Sequence, residues 1–206
     1  MAQFFQMHPV TPQLRLLRQT AAILEQDGVI VYPTDTNYGL GCSIFSRKGV
    51  ERIIKIKQLS PNHQFSILCP DLADISQYAR VDNGTYRLLK RYLPGPYTFI
   101  LEATREVPKT LLPKRKTIGL RIPDHPICLA LLREFGKPLL STSMELPDRE
   151  GVIISDPREM RERLDKVVDL LIDGGPTRDR YSTLVDLTGD APRVLREGAG
   201  DPTPFA

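Results

Sequence analysis

Short runs rich in β-branched residues alternate with amphipathic helical stretches through most of the 206 residues, which restricts the chain to a sheet with helices packed on its faces. Runs at 29–32, 65–69, 97–103, 117–122, 138–143, 167–172, 182–187 and 193–196 have the length and composition of strands. Thr11-Pro12 offers an N-cap and a first-turn proline to a helix that Asp27-Gly28 ends. Ser46 can cap a second helix reaching about Gln58, with Val50, Ile53 and Ile54 inward and Arg47, Lys48, Arg52 and Lys55 wet. Further helices are expected over 71–77, over 82–92 with Tyr86, Leu89 and Leu93 on one face, behind Asp124 as cap until Gly136, and behind the Asp156-Pro157-Arg158-Glu159 capping box. The expected architecture is α/β: a mixed, largely open sheet covered by helices, one domain over 1–206, with 1–10 and 199–206 as irregular surface tails.

Chemistry is expected where apolar runs stop in small polar residues. Residues 29–41, V-I-V-Y-P-T-D-T-N-Y-G-L-G, are the clearest example: Pro33 ends the ladder, and Thr34, Asp35, Thr36 and Asn37 follow where an α/β strand meets its ligand. Gly39 and Gly41 let another group approach the backbone. The same stretch also fits a hydrogen-bonded turn with no ligand at all. Ser141, Thr142 and Ser143, and Ser182 and Thr183, repeat the pattern, while Lys57, Arg121 and Arg196 stand singly in loops or at element ends. Hydroxyls and free N–H groups beside single cations suit a polyanion with polar edges; turns, caps and solvated charges are the plainer alternative. Asp35 and Asp186 fit loop bracing through backbone hydrogen bonds better than metal binding.

Several classes are excluded. Neither G-x-x-x-x-G-K-S/T nor G-x-G-x-x-G occurs, and no serine has an obvious histidine base. Cys42, Cys69 and Cys128 are odd in number, far apart and without C-x-x-C spacing, so they are expected as buried small hydrophobes. His8, His63 and His125 are equally scattered, which disfavours a zinc site. No run approaches the ~18 apolar residues of a membrane span, and the N-terminus has neither basic leader nor long apolar core, so a cytoplasmic protein is expected. The formal charge of +3 permits a basic patch without requiring nucleic acid.

Y-P-T-D-T-N-Y-G-L at 32–40, P-G-P-Y-T at 94–98, I-G-L-R-I-P-D-H-P at 118–126, S-T-S at 141–143, and S-T-L-V-D-L-T at 182–188 with R-E-G at 196–198 stand in one order. Together they resemble the YrdC/YciO family, over about 28–198. Its characterised synthases make threonylcarbamoyl-adenylate from threonine, bicarbonate and ATP for tRNA modification. The resemblance implies a YrdC-like twisted α/β sheet with a large concave basic cavity, a surface also associated with double-stranded RNA. It implies that Thr34 and Thr36 line a threonine pocket, that Arg121 pairs with the amino acid's carboxylate, and that Ser141, Ser143, Ser182 and Arg196 hold an ATP- or AMP-type nucleotide. Ser182 also borders the substrate. Lys57, Thr36 and Arg196 would be the catalytic residues: catalysis would be positioning plus neutralisation of developing charge by Lys57, Arg196 and the Mg²⁺ carried on ATP, with no metal bound by the protein itself.

Two departures bear on the reaction. The synthase signature K-x-R-P at the end of the second helix places Lys57 on its Lys, but Leu59 and Ser60 replace Arg and Pro. The synthase stretch S-T-S-A-N becomes S-T-S-M-E, with Met144 and Glu145. One lost charged contact and one added repulsion would each weaken triphosphate binding by ~1.5–3 kcal/mol. The pattern resembles the YciO branch, and synthase activity is expected to be weak or altered. The alternative is a module binding double-stranded RNA or tRNA through Arg47, Lys48, Arg52, Lys55, Lys114, Arg115 and Lys116, without synthase activity.

Overall fold

The computed structural model describes residues 1–60, 63–112, 116–149 and 152–205. Its strands are β1 (Gln3–Gln6), β2 (Ile30–Tyr32), β3 (Gly39–Ser43), β4 (Ser66–Leu68) and β5 (Tyr97–Glu102). They continue as β6 (Thr117–Arg121), β7 (Leu139–Ser143), β8 (Leu170–Asp173), β9 (Thr183–Asp186) and β10 (Arg193–Arg196). The helices are α1 (Leu14–Glu25), α2 (Arg47–Lys57), α3 (Leu72–Tyr78), α4 (Asn83–Tyr92), α5 (Pro126–Phe135) and α6 (Pro157–Leu164). All ten strands join one mixed sheet in the order β1-β8-β2-β3-β7-β4-β6-β5-β9-β10.

Alternation along the central strands divides the sheet's two faces. Val31, Leu40, Ile67, Phe99, Leu120 and Leu140 point into the larger core. Ile30, Tyr32, Leu68, Leu139, Leu170 and Ile172 point the other way, onto a second core with Leu17 and Leu24 of α1 and Ile127 and Leu131 of α5. Helices α1 and α5 therefore cover part of that second face.

Helix ends follow their capping chemistry. Ser46 Oγ accepts from the Gly49 N–H at 2.8 Å, and α2 closes at Gln58, whose φ of 49° lies in the left-handed region. Asp71, Asp82 and Asp156 cap α3, α4 and α6. Two expected caps do not form. Helix α1 starts after Gln13, and the Thr11 N–H bonds back to His8 Nδ1 at 3.0 Å, so Thr11 is held in a local turn. Helix α5 starts after His125 with no side-chain cap bond, and Asp124 lies one residue too early. On α4, Leu89 and the following Leu93 are buried, but Tyr86 is 41% exposed.

The sheet also gathers segments that the sequence pattern missed. Residues 39–43 form β3, antiparallel to both β2 and β7. The Tyr32 ring lies against Gly39 and Gly41, where an added Cβ would come within 3.0 Å of it. The close approach permitted by these glycines is thus an internal one. Neither terminus is a surface tail: Gln3–Gln6 pairs in parallel with β8, and Phe205 is buried against Tyr92, Tyr97 and Phe99. Cys42, Cys69 and Cys128 are buried as free thiols.

Candidate functional site

Beyond the helices α1 and α5, the second sheet face carries polar groups. Ser66 of β4, Thr98 of β5, Gly119 and Arg121 of β6, and Ser141 and Ser143 of β7 occupy alternate positions whose intervening residues Ile67, Phe99, Leu120 and Thr142 include three of the larger core. These residues floor a cavity of about 700 Å³. Lys57, Gln58 and Leu59 enter it from the end of α2, His63 and Gln64 from the loop beyond, and Glu145, Tyr181, Ser182, Leu184 and Arg196 from the other walls.

Of the eight residues given a binding or catalytic role in the sequence reading of the cavity, seven line this one space: Thr34, Lys57, Arg121, Ser141, Ser143, Ser182 and Arg196. Thr34 Oγ1 donates to the Asn37 carbonyl at 2.5 Å, which tightens the β2–β3 loop. Thr36 is fully buried behind the wall, not on it; its hydroxyl accepts from Arg121 Nη2 at 2.9 Å. The same Nη2 donates to Asp35 Oδ1 at 2.5 Å. Asp35 therefore braces a side chain, where backbone bracing had been expected; Asp186 does hold its own loop, accepting from the Thr188 N–H at 2.9 Å. Arg121 Nε and Asp35 Oδ2 are buried without a hydrogen-bond partner among the described residues.

The far end is built from Lys57, Glu145, Tyr181, Ser182 and Arg196. Lys57 Nζ donates to the Ser143 carbonyl at 3.0 Å and to the Glu145 carbonyl. Burial lowers the Lys57 pKa, and the Glu145 charge works against that shift. Arg196 Nη2 donates to the Ser182 carbonyl at 3.1 Å, and its guanidinium lies 4.8 Å from the Tyr181 ring centre. Ser182 Oγ is 2.7 Å from Thr98 Oγ1, and Tyr32 donates to Ser141 Oγ at 2.7 Å. Tyr181 donates to Glu145 Oε2 at 2.5 Å; burial and that carboxylate push its hydroxyl up to about 12, so it remains a donor at neutral pH. Leu59 is half-buried, packed on the larger core and lining the cavity.

Of the cations considered for RNA, Arg47, Lys48, Arg52, Lys55 and Lys116 lie outside this lining. Arg52 pairs with Asp169 at 2.6 Å, Arg47 with Glu51 at 2.8 Å and Lys48 with Asp27 at 3.7 Å. Lys55 is exposed, as is Lys116, which precedes β6 at a φ of 54°. Lys114 and Arg115 lie outside the described residues. Among the described residues no group of three or more His, Cys, Asp or Glu is placed to hold a metal ion, and no helix is long and apolar enough to cross a membrane. Ser66, Thr98, His63 and Tyr181 were not read as site residues; a hydroxyl within a short apolar run was the available signal for the first two.

Burial lowers the pKa of both His63 and His125, and His125 Nδ1 is an unpartnered buried atom among the described residues. Asp35 and Asp124 oppose the shift at His125 without reversing it. Below the ordinary value of 6.5 the unfolded chain takes up these protons before the folded chain does, so stability falls as pH drops through that window and the loss is complete below the folded values. Thermal melts between about pH 7.5 and about pH 5 are expected to show a falling midpoint, with a shallower fall in His125→Gln. An identical slope in the variant would remove His125 from this account.

The family model Sua5_yciO_yrdC, described as telomere recombination, matches residues 22–198. Escherichia coli YciO, an uncharacterised protein, is 52% identical over 206 residues covering all of both chains, and its crystal structure superposes with a TM-score of 0.95. The threonylcarbamoyl-AMP synthase of Chromobacterium violaceum is 34% identical over 190 residues, 91% of this chain and 96% of that one. The crystal structure of P. abyssi Sua5 complexed with L-threonine is 25% identical with a TM-score of 0.88, covering 95% of this chain and 57% of that one.

Proposed function

The chain belongs to the Sua5/YciO/YrdC family, and from that premise we infer that its cavity binds a nucleotide together with a threonine-type amino acid and supports a slowed form of threonylcarbamoyl-adenylate synthesis linked to tRNA modification. The observation that carries this reading is convergence. Residues from separate motifs between Thr34 and Arg196 line one space of about 700 Å³, a volume within the usual range for a small-molecule site.

In this reading Arg121 Nε faces the amino acid's carboxylate at the Thr34 end. Threonine takes up carbon dioxide, from bicarbonate, as a carbamate on its amine. The carbamate oxygen then attacks the α-phosphate of ATP and pyrophosphate leaves, with Mg²⁺ arriving on ATP as part of the substrate. The protein supplies alignment and charge: Lys57 and Arg196 beside the phosphates, and the Ser141, Ser143 and Ser182 hydroxyls along the nucleotide. Leu59 offers no phosphate contact and Glu145 adds a negative charge, so the reaction is slower than in a dedicated synthase.

Radiolabelled threonine incubated with the full chain, bicarbonate, ATP and Mg²⁺ should yield the adenylate about tenfold to a hundredfold more slowly than with the Chromobacterium violaceum synthase run alongside. No adenylate above background, with that synthase active, would sink the synthesis part of the reading.

A further inference from the structure

The sheet has two edge strands of opposite character. At one edge, β10 begins and ends in arginine, Arg193 and Arg196, and its register breaks between Val194 and Arg196, two features that discourage a further strand. At the other, β1 reads Gln3-Phe4-Phe5-Gln6, with no charge, no proline and an unbroken register against β8. Both faces of β1 are occupied. The Arg161 guanidinium lies 4.9 Å from the Phe4 ring centre and Phe5 packs on the second core, so what remains open is the backbone edge.

The hydrogen bonds fix which groups that edge offers. The Gln3 and Met7 N–H groups bond the Asp169 and Asp173 carbonyls at 2.8 Å, so by strand alternation residues 3, 5 and 7 turn their backbone groups towards β8. The N–H and carbonyl groups of Phe4 and Gln6 therefore point away from the sheet. An antiparallel strand added there must set outward residue against outward residue. For a second copy related by a two-fold axis, a register centred on Phe5 does so: Phe4 meets the partner's Gln6 and Gln6 meets the partner's Phe4, each pair exchanging two N–H···O bonds. Centring on the 4–5 peptide, as the Gln-Phe-Phe-Gln symmetry invites, would set Phe4 against the partner's Phe5, whose backbone groups are used by β8.

The flanks of the strand complement each other in the same arrangement. Of the eight exposed large hydrophobic side chains among the described residues, four stand around β1. Met1 and Val167 lie at its start, where the Ala2 N–H bonds the Asp165 carbonyl, and Val10 and Leu14 lie beyond its end. An antiparallel pair brings the start of one β1 to the end of the other, so each apolar patch faces its counterpart.

We propose that the β1 edge pairs with β1 of a second copy of this chain, continuing the sheet across a two-fold axis. A four-residue edge with small apolar flanks is below the size of a tight interface, so the dimer forms and dissociates with concentration.

Sedimentation velocity of the full untagged chain over about 1–100 μM should show monomer giving way to dimer. Gln6→Pro removes an outward N–H without touching the bonds to β8, and should weaken the dimer at least about tenfold; Gln6→Ala keeps that N–H and should leave the dissociation constant within about twofold. A monomer throughout the range overturns the proposal and leaves the edge to water or to a foreign strand. A dimer that Gln6→Pro leaves intact overturns it, and so does one that Gln6→Ala weakens as much as Gln6→Pro. Amide exchange of the unaltered protein decides the matter if Gln6→Pro does not fold. The Phe4 and Gln6 amides should exchange more slowly at the high end of the range while Phe5 stays protected at both ends, and equal rates for Phe4 and Gln6 at the two ends overturn the proposal.

Discussion

Arg121→Leu is expected to lower the unfolding free energy by about 3–5 kcal/mol, read as a shift of the urea midpoint at unchanged slope. The reason is the partner left behind. The side chains of Arg121 and Asp35 are only 9% and 12% exposed, so removing the guanidinium strands a carboxylate away from water. Thr36 also loses the donor that its hydroxyl accepts from. Asp35→Asn combined with Arg121→Leu should be less destabilised than Arg121→Leu alone, since no buried charge then remains. A loss below about 1 kcal/mol in the single variant would mean that Asp35 finds water, and that the ion pair does not brace the β2–β3 loop.

Phe205→Ala should lower stability by a similar amount, about 3–5 kcal/mol, although it is the penultimate residue of the given sequence. The ring is 4% exposed and its centre lies 4.8 Å from that of Tyr92, 5.7 Å from Phe99 and 5.8 Å from Tyr97. The segment leading to it is tied to β9, where Thr183 Oγ1 donates to the Gly200 carbonyl at 2.6 Å. Removing the ring thus opens a cavity in the larger core and loosens the strand that follows Ser182. Deleting residues 203–206 should give a comparable loss; a truncated chain as stable as the full one would show that this segment does not seal the core.

The sequence was informative wherever one local rule decided the outcome. Ser46, Asp71, Asp82 and Asp156 announced their helices because each side chain bonds an N–H two or three residues away. The cavity residues Thr34, Lys57, Arg121, Ser141, Ser143, Ser182 and Arg196 were legible as hydroxyls and cations at the ends of apolar runs, and through their motifs. What stayed hidden was set by distant partners. Strand β3, G-L-G-C-S, has poor strand composition, and its glycines make sense only under the Tyr32 ring. Strand β1 pairs with residues 170–173, and no local pattern in Q-F-F-Q foretells that. Thr36 was read as a cavity hydroxyl because adjacent loop residues look alike in sequence, whereas packing turned it onto Arg121.

The strand order has a consequence for biosynthesis. Gln3 pairs with Leu170, and Thr183 to Asp186 pair with Tyr97 to Ile100 and with Arg193 onward. A ribosome adding about 5–20 residues per second exposes β1 on the order of ten seconds before its neighbour β8 is made. The nascent chain must therefore carry apolar Phe4 and Phe5 and an open strand edge for much of its synthesis. During translation this apolar segment waits for its partner strand, whereas in refolding of the finished chain both are present from the start.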